Sequence, residues 1–203
     1  MTATSPQARW PAGDLQRLVP VPPPSSAAIT VLSEIRASGN CPQALGDAIR
    51  AGSIAADDLP PVIADVWLWD DSPTSDLSET DWTQVFRKAG FFSYPPLLIQ
   101  RPDGSQAPLE RPGTPVTLYR GSTADRLRRM SWAWIPEPAE LLGRRHTHYG
   151  AAALYSAVAA PEAVLGCLER RGEGWTVVVD PAGLTDIKRI REIRGQVAEG
   201  MHG

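Results

Sequence analysis

The chain has 203 residues, of which 42% are hydrophobic, and these values are ordinary for a globular protein of one domain or of a small domain with an appendage. Its 20 basic and 23 acidic residues give a net charge of −3, which argues against a sequence-independent nucleic-acid binder, because such proteins need a dominant basic face. The two cysteines, Cys41 and Cys167, exclude a disulfide scaffold and a four-thiolate zinc site.

No segment has the pattern of a signal peptide or of a membrane-spanning helix. The longest apolar stretch, 151–168, is interrupted by Pro161 and Glu162, whereas a spanning helix needs ~20 apolar residues. We therefore expect a cytoplasmic protein with reduced cysteines and no membrane partner.

The first 24 residues form a proline-rich arm. They contain six of the 20 prolines, including Pro22, Pro23 and Pro24 in succession. Because proline lacks an amide donor and fixes φ, we predict an extended arm over residues 1–24, with ordered structure beginning near Ser25 or Ser26.

Residues 25–95 have the apolar spacing of a helical region. The clearest segment is 78–89, where Ser78 and Asp81 have the spacing of a capping box and Gly90 follows as a stop. We predict four short helices here, which begin near Ser25, Pro42, Asp57 and Ser78.

A proline-rich connector over 96–112, with one short strand at 97–99, leads to a region in which strand patterns predominate. Over 113–195 we predict strands at 116–119, 152–158 and 174–180, and helices that begin at Pro136 and Pro161. Cys167 falls on the apolar face of the second of these helices. The expected fold class is α+β, with a helical N-terminal region in front of a small mixed β core.

Three features of the C-terminal half bear side chains suited to chemistry. Arg120 and Gly121 end a predicted strand, where a guanidinium can offer a planar fork to phosphate oxygens. Ser131 lies in a short aromatic segment, and Glu173 directly precedes a buried-looking strand. Each feature alone is more often a surface charge, a core residue or an exposed loop.

In this order the features resemble the arginine–serine–glutamate class of mono-ADP-ribosyltransferases, in an actinobacterial or phage-like version. The resemblance covers about 116–190, a little over a third of the chain. It rests on these segments: Leu118-Tyr119-Arg120-Gly121, Ser131-Trp132, Ala139-x-x-Leu142-Gly143-x-Arg145, Leu154-Tyr155-Ser156-Ala157-Val158, 161–168 and Arg171-Gly172-Glu173 before Val177-Val178-Val179-Asp180-Pro181.

The resemblance implies an ADP-ribosyltransferase fold and an NAD-consuming glycosyl transfer to a macromolecule, expected to be a protein. Arg120 would hold the NAD phosphates and ribose, and Ser131 would support the nicotinamide side of the site. Glu173 would bind the nicotinamide ribose and stabilise the cation-like sugar, with NAD hydrolysis as a side reaction. The backbone of Gly121 would hold the nicotinamide amide, and the candidates for stacking on its ring are Trp132, Trp134 and Tyr149.

The sequence departs from the family pattern in two places. Ala133 stands where a second serine or threonine is usual. Where the family has its second, catalytic glutamate, alignment from either side brings Trp175 or Thr176 to that place. Two interpretations stay open: a transferase that uses Glu173, or an inactive domain that binds NAD poorly or not at all and inhibits or recruits a protein partner. Toxin-like, phage-encoded and housekeeping roles also stay open.

Histidines and arginines form the remaining polar clusters of the C-terminal half. His146 and His148 have no third ligand nearby in the sequence, so we predict no metal site. The arginines of 126–129 and 144–146 either form a solvated face or meet phosphates or an acidic partner. A nucleic-acid partner is not expected at this net charge.

Overall fold

The structure, a computed structural model, describes residues 10, 14–17, 23–69, 77–100, 103–170 and 174–194. Within these residues the helices are α1 (Ser26–Ala37), α2 (Cys41–Ala51), α3 (Leu59–Trp69), α4 (Glu79–Ala89) and α5 (Pro136–His146). The strands are β1 (Asp14–Arg17), β2 (Phe92–Tyr94), β3 (Leu97–Gln100), β4 (Gln106–Pro108), β5 (Val116–Ser122), β6 (Ser131–Trp132), β7 (Ala153–Ala159), β8 (Val164–Arg170), β9 (Gly174–Val179) and β10 (Leu184–Glu192). The fold is α+β, as expected from the sequence.

Helices α1 and α4 begin where the local sequence supplies a serine N-cap. The Ser25 hydroxyl accepts a hydrogen bond from the Ala28 amide at 3.1 Å, and the Ser78 hydroxyl accepts one from the Asp81 amide at 3.2 Å. Such side chains satisfy amides that have no partner inside the helix. The four predicted N-terminal helices and the predicted helix at Pro136 are confirmed.

Three sheets account for the strands. β1, β3 and β4 form a small antiparallel sheet in that order, and β10, β7 and β5 form a second. The third has the order β2-β8-β9-β6, with β2 parallel to β8. The Tyr119 and Ala133 backbones exchange hydrogen bonds of 2.7 and 2.8 Å. This bridge joins β5 to the residue that follows β6, so the second and third sheets meet there.

The main layers pack in the order helices α1 to α4, sheet β2-β8-β9-β6, sheet β10-β7-β5, helix α5. Leu165 and Leu168 of β8 belong to the apolar cluster under the helices, whereas Val164 and Cys167 face the second sheet. The four-stranded sheet is therefore buried on both faces. Burial also raises the pKa of the Cys167 thiol well above its usual value.

The predicted helix at Pro161 is wrong. A 3-10 turn over Pro161–Ala163 leads directly into β8. The pairing of β8 with β9 shifts register between Val164 and Gly166. This irregularity brings residues three apart to the same face of the strand, which is the spacing that predicts a helix.

The expectation that order begins at Ser25 is wrong for Asp14–Arg17, which pair with β3 as strand β1. These four residues are flanked by Pro11 and Pro20 but contain no proline, so their amides can enter a ladder. The connector contains the predicted strand at 97–99, observed as β3, and also β4. In the part of the chain that the structure describes, no helix has the length and apolar character needed to cross a bilayer.

Candidate functional site

A cleft opens beside the bridge between β5 and β6, with about 430 Å³ of empty space that includes space open to solvent. Its walls come from the end of β5, from β6, from one face of α5 and from the start of β9. The lining residues are Tyr119, Arg120, Gly121, Ser131, Trp132, Ala133, Pro138, Ala139, Leu141, Leu142, Arg145, Trp175 and Thr176.

Two glycines allow α5 to lie directly on β5. A Cβ placed on Gly121 would lie 2.0 Å from the Ala139 carbonyl oxygen and 2.7 Å from the Gly143 Cα. A Cβ on Gly143 would lie 2.9 Å from the Gly121 Cα. Any side chain at either position would push the helix away, so this contact sets the width of the cleft at its β5 wall.

Arg120 lies in the wall with its guanidinium largely removed from water, at 6% exposure. Its Nε donates to the Arg126 carbonyl at 3.1 Å, and its Nη1 donates to the Ser131 carbonyl. Burial and, after it, the positive charge of Arg129 together lower its pKa to about 10. The group is still a cation at neutral pH. Arg120 therefore ties β5 to β6 and brings positive charge to the cleft.

The sequence-predicted site residues divide into three groups. Arg120, Gly121, Ser131 and Trp132 all line the cleft, although they come from two different strands. Trp134 and Tyr149 are not among its lining residues. Glu173 lies outside the described residues.

The three candidate aromatic residues differ in accessibility. Trp132 is 2% exposed, and its indole nitrogen donates to the Arg129 carbonyl at 2.8 Å. Trp134 packs behind Trp175, with ring centroids 6.2 Å apart. Tyr149 is an exposed residue beneath the Arg126 guanidinium, which lies 4.1 Å from its ring. Trp175 is half-buried and lines the cleft itself.

The charge of the described lining is positive. Arg120 and Arg145 are its charged residues, and none of the lining residues is a carboxylate. The described residues also contain no group of three or more histidine, cysteine or acidic side chains placed to hold a metal. The cleft thus combines cations with aromatic surface, which suits an anionic ligand that carries a planar ring.

His146, at the end of α5, stands near the cleft but not in its lining. Burial lowers its pKa, and the positive charge of Arg120 lowers it further. Its Nδ1 is buried with no hydrogen-bond partner. These conditions favour the neutral imidazole at physiological pH.

Comparison of the chain with protein families, curated proteins and solved structures finds no match.

Some of the lining residues were not singled out by sequence reasoning. Leu141 is the clearest, since it lies on α5 between the inward positions Ala139 and Leu142 and is exposed. An apolar residue beside the buried stripe of a helix is a weak signal for a cleft, because single exposed leucines are common. Arg145 carried a stronger signal, as part of the basic cluster over 144–146.

Proposed function

We propose that the cleft binds NAD and that the protein transfers ADP-ribose from it to a macromolecule. One observation carries the proposal. Arg120, Gly121 and Ser131, which the sequence resemblance assigns to NAD binding, come from separate strands and line one cleft. Arg120 and Ser131 are eleven positions apart, and a resemblance in sequence does not require that they line the same cavity. Their presence in one cleft therefore supports the proposal.

The chemistry of NAD fits the described lining. NAD carries an anionic diphosphate between two nucleosides, each with a planar base. The cations Arg120 and Arg145 can attract the diphosphate, and Tyr119 and Trp175 offer aromatic surface.

In the proposed reaction the bond between the nicotinamide nitrogen and the ribose C1′ breaks. Nicotinamide leaves with the bonding electron pair, and positive charge develops on the ribose. An acceptor nucleophile, or water in the side reaction, then bonds to C1′ and loses a proton. A carboxylate close to the ribose stabilises the charge, and we assign this role to Glu173 on the sequence resemblance alone.

The experiment is release of nicotinamide from NAD by the full chain. We expect Glu173→Gln to lower the rate about 100-fold, because it removes the charge that stabilises the transition state. Glu169→Gln is the matched control, since it changes the carboxylate four residues earlier in the sequence, on β8. Equal rates for the Glu173 variant and the unmodified chain would show that the assignment is wrong.

The second candidate is an inactive domain that binds a protein partner. The absence of a carboxylate from the described lining favours it, because Trp175 and Thr176 stand where the family pattern has its catalytic glutamate. This candidate predicts no nicotinamide release and no rise in melting temperature with NAD. Partner contact through the N-terminal helices would then use exposed apolar residues such as Ile29 and Trp69.

A further inference from the structure

Three tryptophans in contact connect the N-terminal arm with the wall of the cleft. The Trp10 and Trp134 rings meet edge to face, with centroids 5.9 Å apart and planes at 81°. The Trp134 and Trp175 rings are offset and nearly parallel, with centroids 6.2 Å apart and planes at 23°. Trp175 lines the cleft, so the row of three indoles extends from Trp10 in the N-terminal arm to the cleft.

We propose that Trp175 stacks on the planar base of a nucleotide, and that Trp134 and Trp10 are positioning residues that hold its ring. Trp134 packs against Trp175 from outside the lining, while Trp175 itself faces the cleft. Of the other aromatic residues in the lining, Trp132 is buried, with its indole nitrogen donating to a backbone carbonyl, and Tyr119 packs against the apolar cluster that contains Ala139 and Leu154. Trp175 therefore offers the more accessible indole surface.

The class of ligand follows from the residues that line the cleft together with Trp175. A base stacks well on an indole, and the phosphate attached to a nucleotide is attracted by a nearby guanidinium. Arg120 and Arg145 lie in the same lining as Trp175. This inference rests on the part of the proposed function that places a nucleotide in the cleft, but it does not depend on transfer chemistry.

Trp10 is itself held in place from several sides. Its indole nitrogen donates to the Glu110 carbonyl at 3.3 Å, and its ring meets Phe91 edge to face, at 6.3 Å. Four residues further along, β1 pairs with β3. A ring fixed from behind loses less freedom when a ligand binds, so the arm contributes to affinity through Trp175.

The test measures binding of three probes to the full chain by calorimetry. AMP and nicotinamide mononucleotide carry a base and a phosphate, whereas ribose 5-phosphate carries no base. We expect both nucleotides, or the one whose base occupies this subsite, to bind at least ~10-fold more tightly than ribose 5-phosphate. Trp175→Ala should remove that ~10-fold advantage and leave ribose 5-phosphate binding unchanged, and Trp175→Phe should retain most of it.

A second set of variants tests the positioning role of Trp10. Trp10→Ala should weaken nucleotide binding several-fold without changing ribose 5-phosphate binding, and Trp10→Phe should restore it. A general loss of stability would weaken all three probes alike. Trp69→Ala is the matched control, because Trp69 is 70% exposed on α3 and lies outside the cleft lining.

The outcomes separate this inference from the proposed function. Unchanged nucleotide affinity in Trp175→Ala, or no preference of the unmodified chain for a base, overturns the stacking role. Unchanged affinity in Trp10→Ala overturns the positioning role. Nucleotide binding without nicotinamide release overturns the transferase and leaves the stacking role standing. A chain that binds none of the nucleotides overturns both.

Discussion

At the scale of single residues, Arg120 shows how one side chain serves both fold and site. Its guanidinium donates to the carbonyls of Arg126 and Ser131, so it satisfies two acceptors in the segment between β5 and β6. A buried cation is costly unless its donors are paired, and carbonyls left without donors are costly as well. The residue that we assign to NAD binding therefore also supports the wall in which it stands.

We predict that Arg120→Met lowers the free energy of unfolding by about 2–3 kcal/mol, because two carbonyls lose their charged donor. Urea denaturation measures this loss. Arg128→Met, which changes an exposed arginine of the same segment, should alter stability by less than about 0.5 kcal/mol. Equal losses in the two variants would contradict the structural role of Arg120.

At the scale of elements, the contact between α5 and β5 decides whether the cleft exists. We predict that Gly121→Ala lowers the free energy of unfolding by about 1–3 kcal/mol and abolishes ligand binding, because its Cβ would lie 2.0 Å from the Ala139 oxygen. Thermal denaturation and calorimetry with NAD check the two effects. Gly113→Ala, where a Cβ meets nothing within 4 Å, is the control and should leave both unchanged.

The elements also show what sequence reasoning can and cannot supply. Helix α4 was predictable because one face carries its apolar residues and Ser78 caps it. Strand β8 was not, because both of its faces are buried and its bulge spaces Val164 and Cys167 like residues on a helix. Strand β1 was missed because the prolines around it dominate the local pattern.

For the site, the sequence resemblance predicted that Arg120, Ser131 and Glu173 share a cleft. Arg120 and Ser131 line one together with Gly121, whereas Glu173 lies outside the described residues. The aromatic contacts of Trp134 with Trp10 and with Trp175, by contrast, join distant parts of the chain. No local pattern reports such contacts, although a lone tryptophan in a proline-rich arm is a reason to look for one.

At the scale of the whole molecule, the helices and the four-stranded sheet share one core. Phe86 of α4 is fully buried, and its ring stacks on that of Phe92 in β2, with centroids 5.7 Å apart. The Arg87 guanidinium also donates to the carboxylate of Asp180, beyond β9, at 2.8 Å. We therefore expect the helical and strand regions to unfold together.

We predict that Phe86→Ala lowers the free energy of unfolding by about 3–5 kcal/mol. The midpoints of the unfolding transitions of the helical region and of the strand region should fall equally. Far-UV circular dichroism reports the helices. Thiol labelling of Cys167, in a Cys41→Ser background, reports β8, because that thiol is buried. Ile29→Ala, on the exposed face of α1, is the control. Two separate transitions would contradict a shared core.

The parallel pairing of β2 with β8 limits how the chain can be dissected. β2 lies directly after the helices in the sequence but completes the sheet that stands behind the cleft. A fragment that began at residue 96 would expose the outer edge of β8 and, beside it, the apolar side chains of Leu165 and Leu168. An open edge next to uncovered apolar surface promotes self-association. We therefore expect the strand region to be insoluble when it is produced without the helices that precede it.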